Sequence, residues 1–535
     1  MIETERRQRL GTAFARLRAG QWDAAAAHCH GLLLRDPADA QARLLDAFAR
    51  AGRGAIGDAA ATLVGIAREH PNEAHPCADF AALCQRPENP TGRASPTGVM
   101  AAEICPIADL YRACLVLTPD DTRLRRLFAA FLLDRGEAAE AEQVLRGALD
   151  SAAGQHAMGM ALTEQGKFRE AIGHFRQAAA LDPVPSPAWA NLGMVLKIEG
   201  RHREAQAAYD EAVARSPNDA AIRVNRMVAL LHAGHWSEAW RDGDWRLRLP
   251  GYTGLPEGRL LPNPDAAAGR TVLLTHEEGF GDTLQFLRYV PLLAARGARV
   301  LLRMPQPLMR LAARVPGIAA VLPADSALPD YDYHCPMVSL PCVFATTPDT
   351  IPPGAYLREA GEPNAVPSVG LVWAGQARPW LPGFTALDAR RSANSAVFSP
   401  LAAVAGVRFV SLQMGEAAAH PPPGLALANP MAGVRDFADT AAIVAGLDLV
   451  VSVDTSVVHL AGAMGKPVFL LDRYDNCWRW LSGRSDSPWY PEMTIFRQDS
   501  PSDWGPPVRR VVAALNRFVA TRAHPSPARR FPNAA

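Results

Sequence analysis

The strongest constraint on the fold is a period of 34 residues. Gly166, Gly200 and Gly234 are 34 apart, and so are Ala171, Ala205 and Ala239. The same residue types recur in register around them. One unit carries Trp189, Leu192, Gly193, Leu196, Tyr209, Ala212 and Pro217, and the unit before it Gly159, Leu162, Phe175, Ala178 and Pro183. Gly and Ala let two antiparallel helices approach closely, large residues fill the groove of the next unit, and Pro ends the second helix. A lone helix hairpin cannot bury its apolar face, so the period predicts a curved stack of hairpins with a concave face suited to extended peptides or partner proteins. Upstream the pattern weakens but persists, at Gly20 with Asp36-Pro37, Gly52 with His70-Pro71, and Gly136 with Ala141 and Ala148. Residues 86–98 (RPENPTGRASPTG) read as a loop interrupting the stack.

The period stops near Gly269. Residues 250–265 (PGYTGLPEGRLLPNPD) are a linker by composition, and after them apolar strand-like runs alternate with helical stretches, which implies α/β architecture. Strands are predicted at 271–275 (TVLLT), 299–303 (RVLLR), 368–373 (SVGLVW) and 408–413 (RFVSLQ). Residues 449–471 (LVVSVDTSVVHLAGAMGKPVFLL) read as strand, loop, helix, strand. Asp454, Thr455 and Ser456 are helix-starting residues at the C-terminal end of a buried parallel strand, a natural seat for a phosphate. An ordinary βαβ unit with a good N-cap has the same pattern. Further on, Asp439 is the expected N-cap of a helix beginning near residue 436. In the loop after the first strand, Gly279 and Gly281 suggest dinucleotide binding. The third glycine of that motif is absent, however, and no acidic residue ends the second strand.

Bulk numbers exclude several classes. The 535 residues are too many for one core. Fifty-five basic against 54 acidic side chains argue against a dominant nucleic-acid or membrane-surface role, and no apolar run reaches membrane-spanning length. Eight scattered cysteines, with no Cys-x-x-Cys pair, read as reduced thiols. With a charged start lacking an apolar segment, they give an expected cytoplasmic location.

The 34-residue pattern is that of tetratricopeptide repeats. Asp454-Thr455-Ser456-x-x-His459-Leu-Ala-Gly-Ala-x-Gly-x-Pro467 resembles the donor-site signature of heptosyltransferase-like glycosyltransferases, especially the bacterial branch in which that domain follows tetratricopeptide repeats. Trp478-Arg479-Trp480 through Ser487-Pro488-Trp489-Tyr490-Pro491 is similar to that branch as well, and the likeness covers most of residues 270–505. The order of the two parts is distantly similar to that of O-GlcNAc transferase.

The resemblance implies a GT-B pair of Rossmann-type domains and a nucleotide-sugar donor, with no cofactor and no catalytic metal. Gly279-x-Gly281-Asp282 resembles the family's first-loop motif, which makes Asp282 the expected catalytic base. Gly281, Gln285 and His334 would line an acceptor cleft. Gly375, Gln376, Arg391, Ser392, Asp454, Thr455, Ser456 and His459 would bind the donor, with Arg390 beside them. His459 would either protonate the leaving group or pack between strands.

The expected fold class is therefore α + α/β, an N-terminal α-solenoid followed by two Rossmann-like halves. Residues 1–250 would form the solenoid (clearest repeats 152–250) and 251–268 a linker. Residues 269–365 would be the acceptor half and 366–520 the donor half, with a disordered tail at 521–535. The expected function is glycosyl transfer to a hydroxyl acceptor on a protein held by the repeats. Two alternatives stay open: a non-catalytic repeat adaptor, and a transferase acting on a surface glycan or lipid precursor. On this reading the repeats take no part in the chemical step, and a chain starting near Leu255 would retain donor binding.

Overall fold

A computed structural model of the chain describes residues 2–69, 101–181, 187–249, 252, 255, 257–361, 365–377 and 385–523. The expected loop at 86–98, part of the linker, and residues 524–535 of the expected tail lie outside these. The chain forms two compact units, Met1–Val184 and Pro185–Ala535.

The first unit is helical throughout its described residues, from Ile2–Arg18 to Phe168–Leu181. The second opens with helices Pro187–Ile198, His202–Arg215 and Ala220–His232. Acidic caps start several of these helices: Asp39, Asp121 and Asp219 each accept a backbone N–H from the first turn. Gly166, Gly200 and Gly234 stand at the turns with φ of 73°, 71° and 83°, a left-handed geometry that glycine adopts without strain. Gly52 differs from expectation. The turn falls at Gly54 (φ 90°), while Gly52 lies against Trp22, whose ring a Cβ would meet at 2.3 Å. Close approach is also the role of Gly159 on Phe175 and Gly193 on Tyr209, positions 34 apart.

Two parallel sheets follow. The first contains β1 (Thr271–Thr275), β2 (Arg299–Met304), β3 (Ile318–Pro323) and β4 (Tyr333–Pro336) in the order β3-β2-β1-β4. The second contains β5 (Ser368–Val372), β6 (Arg408–Ser411), β7 (Leu427–Ala428), β8 (Leu449–Val453), β9 (Val468–Asp472) and β10 (Met493–Arg497) in the order β10-β9-β8-β5-β6-β7. Every residue of β5 and β8 is buried, as continuous apolar runs in a doubly covered sheet require. In each sheet the chain moves outward from one strand and then returns to that strand's other side. The reversal lies between β1 and β4 in the first sheet, and between β5 and β8 in the second. Ligands of open α/β sheets bind outside the carboxyl ends of the strands at such reversals.

Three local expectations are corrected. After β1 the sequence pattern suggests one helix from Thr283 to about Ala295, but the helical stretch begins earlier and is broken into Phe280–Phe286, a 3-10 turn at Leu287–Tyr289, and Val290–Ala295. Pro291 lacks the N–H that would bond the Leu287 carbonyl, and its ring crowds that carbonyl. The N-cap of Phe437–Ala445 is Asp436, which accepts from the N–H groups of Ala438 and Asp439. Asp439 instead pairs with Arg435 and, at 2.7 Å, with Arg310 of the first half. The last helix runs over Gly505–Ala523, so residues 521–523 are helical.

Residues 224–240 share a core with both sheets. Trp236, with 1% of its surface exposed, stacks on Trp489 at 5.3 Å and meets Trp240 and Trp478 edge-on. The Trp240 indole donates to the Thr346 carbonyl at 2.7 Å. Arg246 makes a two-pronged ion pair with Glu277 (3.0 and 2.9 Å) and donates to Ser339. The expected independence of the catalytic part from the final repeat therefore does not hold: this helix pair supplies part of its core.

Candidate active site

The loop after β1 is the acceptor-side component. Helix Phe280–Phe286 has Gly279 as its N-cap, and Asp282 sits in its first turn, accepting the Gly279 N–H at 2.9 Å. Asp282 thus closes the helix start from within instead of preceding it. Its other oxygen pairs with Arg479, from the opposite half. Arg479 in turn donates to the Gln285 side chain at 2.6 Å and lies 4.6 Å from the Trp478 ring centre. Gln285 is fully buried and spends its carbonyl on Arg479, so it supports the site and does not face an acceptor. His334 is also corrected. It lies inside β4, in register with Leu273 and 1% exposed, and the chain at Leu260–Leu261 covers the strand edge.

His459 lies in helix Ser456–Ala463, directly under Gly281. A Cβ on Gly281 would come within 2.7 Å of the imidazole Cδ2. The ring stacks on Trp480 at 5.4 Å, and its Nδ1 is 3.0 Å from the Tyr490 hydroxyl. Burial, with Arg479 and Arg288 nearby, holds its pKa well below the ordinary histidine value. This enclosure and the lowered pKa favour packing between the halves over protonation of a leaving group as the role of His459. Gly281→Ala is expected to force these rings apart and to lower stability by about 1–3 kcal/mol, read as a drop in melting temperature.

On the donor side, Val372 of β5 is in register with Ser452 of β8, so the loops after these strands are neighbours. Thr455 is the N-cap and Ser456 the first residue of an eight-residue helix, and Asp454, Thr455 and Ser456 are all partly exposed. The Thr455 hydroxyl lies 3.1 Å from that of Ser452, and this N-cap side chain makes no hydrogen bond to the first-turn amides. The Gly375 N–H donates to the Ser392 hydroxyl, and Arg391 donates to the Gln376 carbonyl and to Asp388. A Cβ on Gly375 would stand 2.7 Å from the Arg391 guanidinium. Gly375, Gln376, Arg391 and Ser392 therefore form one group beside the β8 loop, while residues 378–384 lie outside the described part. Arg390 pairs with Asp475, in the loop after β9, at 3.1 Å.

Glu278 is not among the expected site residues, although the sequence offers it, with His334, as the base should Asp282 serve only as a cap. It is exposed, has a left-handed backbone (φ 60°) unusual for a non-glycine residue, and makes no hydrogen bond among the described residues. Packing around the loop and the adjacent Asp282 carboxylate raise its pKa to about 7, although the side chain still reaches solvent. The signal available in sequence was only its place between a strand end and Gly279. No group of three or more His, Cys, Asp or Glu side chains suited to a metal occurs among the described residues. None of the described helices is long and apolar enough to cross a membrane.

Repeats followed by two parallel sheets, with site loops at both reversals, define a repeat solenoid joined to a pair of Rossmann-like domains, and the family comparisons give the two parts their class. Residues 416–516 match glycosyltransferase family 9 (heptosyltransferase), and residues 156–197 and 186–219 match tetratricopeptide repeats. The chain thus joins tetratricopeptide repeats to a C-terminal glycosyltransferase domain of that family. It is 26% identical over 454 residues to Protein FlbA of Caulobacter vibrioides, covering 75% of this chain and 74% of that protein. Among solved structures, it is similar to E. coli ADP-heptose lps heptosyltransferase II (14% identity, 47% of this chain, 99% of that one, TM-score 0.33). It is also similar to the tetratricopeptide protein YrrB (17% identity, 35% of this chain, 91% of that one, TM-score 0.26).

Proposed function

We propose that the protein transfers a glycosyl group from a nucleotide-sugar donor to a hydroxyl of a protein or peptide held by its repeats. The observation that carries this reading is the joining of two strand-end loops across the two halves. Asp282 meets Arg479, and Gly281 rests on His459. The donor diphosphate would lie against the first-turn amides of Ser456–Ala463, the Thr455 and Ser456 hydroxyls, and the Gly375–Arg391 group. The positive end of the helix and a guanidinium would stabilise charge developing on the leaving phosphate. Asp282 would take the proton of the acceptor hydroxyl as that oxygen attacks the anomeric carbon. No catalytic metal enters this scheme, because fixed cationic groups supply the stabilisation.

Titration calorimetry against a panel of nucleoside diphosphates tests the donor assignment. One nucleotide should bind, and binding by none would return the repeat-adaptor reading. Ser456→Asp places a like charge beside the diphosphate and should weaken that binding at least tenfold, about 1.4 kcal/mol. An unchanged affinity in the folded variant would move the donor elsewhere.

A further inference from the structure

The last repeat does more than complete a core. The end of helix Pro187–Ile198 reaches the loop after β9, where the Tyr474 hydroxyl donates to Glu199 at 2.9 Å. Two residues before Glu199 stands Lys197, half-buried and with no hydrogen bond or ion pair to any described residue. The groups that act on it electrostatically are Asp475, Arg473 and Cys477 of the β9 loop. It acts in turn on His202 and His232 from the adjoining repeat helices.

Cationic groups outnumber carboxylates here: Lys197, Arg390 and Arg473 stand against Asp475 and Glu199. Asp475 is the one carboxylate among Lys197's electrostatic neighbours, and it already pairs with Arg390 and Arg473. Among the described residues one Arg390 nitrogen is buried without a partner, as are Nδ1 of His202 and Nδ1 of His232, ring nitrogens that donate or accept according to tautomer. Buried polar groups in native proteins are almost always satisfied, and orphans gathered at one place point to a ligand that satisfies them. The site also adjoins the donor loop, since Asp454 acts electrostatically on Arg473. Arg390 itself is next to Arg391, of the Gly375 group.

We propose that Lys197 of the last repeat, with Arg390, binds an oxyanion of the nucleotide-sugar donor, so that the donor site is built jointly by the repeat and the second sheet. This rests on the donor reading above. Desolvation, with Arg473 nearby, lowers the pKa of the Lys197 ammonium to about 8 despite Asp475, which makes its charge sensitive to an arriving anion. A bound anion favours the protonated amine, and binding therefore takes up a proton wherever the free lysine is neutral. The sign follows. Affinity is full below about pH 8 and declines above it.

The test uses the full chain, titrated with pyrophosphate and with the nucleoside diphosphate that binds best. Lys197→Met should weaken both at least tenfold at pH 7.5 while leaving the melting temperature unchanged or raised, because a desolvated charge is removed. The wild-type dissociation constant should rise roughly tenfold between pH 7.5 and 9 by proton linkage. Lys197→Arg should retain binding and lose that pH dependence. Wild-type affinity in folded Lys197→Met, or an equal pH slope in the wild type and Lys197→Arg, overturns the assignment. If Ser456→Asp abolishes binding while Lys197→Met does not, the donor reading stands and the repeat's share in it falls. If the wild type binds neither probe, both fall.

Discussion

Asp282→Asn is expected to lower the transfer rate by roughly 10²- to 10⁴-fold, the usual contribution of a positioned base. Asparagine can still accept the Gly279 N–H, so the helix start should survive. It cannot take a proton at neutral pH, and it cannot neutralise Arg479. Donor affinity should hold, because the diphosphate is assigned to the loops after β5 and β8. The neighbouring carboxyl gives a second readout. Asp282 is one of the causes that raise Glu278 to about 7, and Arg479 opposes it. Removing the Asp282 charge should leave burial and Glu277 as the causes that raise Glu278, and so bring its pKa down. Glu278→Gln is then expected to cost only a few-fold in rate while removing an ionisation near pH 7 from the rate profile. The reverse ranking, a large loss in Glu278→Gln and a small one in Asp282→Asn, would make Glu278 the base.

The same carboxyl has a stability signature. Its folded pKa is raised above the ordinary value, so the folded chain holds this proton more tightly than the unfolded chain. The stabilisation is full below about pH 4.5 and is lost as pH rises through about 7. Glu278→Gln should flatten the decline of melting temperature across that window. Asp472, raised to about 6 by burial at the end of β9, leaves part of the slope in place.

What was legible in the sequence was whatever local chemistry dictates. The 34-residue period located the turn glycines and the close contacts of Gly159 and Gly193, because these depend on neighbours one helix away. The strands at β1, β5 and β8 were legible as short apolar runs, and the loops at their ends as capping and glycine residues. What failed depended on distant partners. Gln285 looked like a cleft residue until its partner, Arg479, arrived from 194 positions away. His459 had the right type for acid–base work, but Trp480, Tyr490 and Gly281 enclose it. Trp478-Arg479-Trp480 resembled the family's sequence, which left the work of the two indoles open. Trp478 and Trp480 seal, the first against Trp236 and the second against His459. Lys197 carried no signal at all, since a lysine near the end of a repeat helix is ordinarily a solvated one.

A chain beginning at Leu255 is expected not to fold, although composition places a linker just before it. The reason is what residues 187–249 bury. Without them Trp489, 2% exposed, loses its stacking partner Trp236, and Trp478 loses two edge contacts. Glu277 is left without Arg246, in the loop that carries the candidate base. Removing one partner of a buried ion pair alone typically costs about 3–5 kcal/mol. Total stability of a domain is only about 5–15 kcal/mol, so the losses together exceed what it can sustain. A chain beginning at Pro185 keeps every one of these contacts and should fold and bind the donor. Trp236→Ala in the full chain is the graded version, with an expected loss of about 3–5 kcal/mol for truncating a buried aromatic. Circular dichroism melts and donor titration on the three proteins decide the matter. A cooperative melt and normal donor binding from the Leu255 chain would show that the last repeat is an appendage, and would remove Lys197 from the donor site as well.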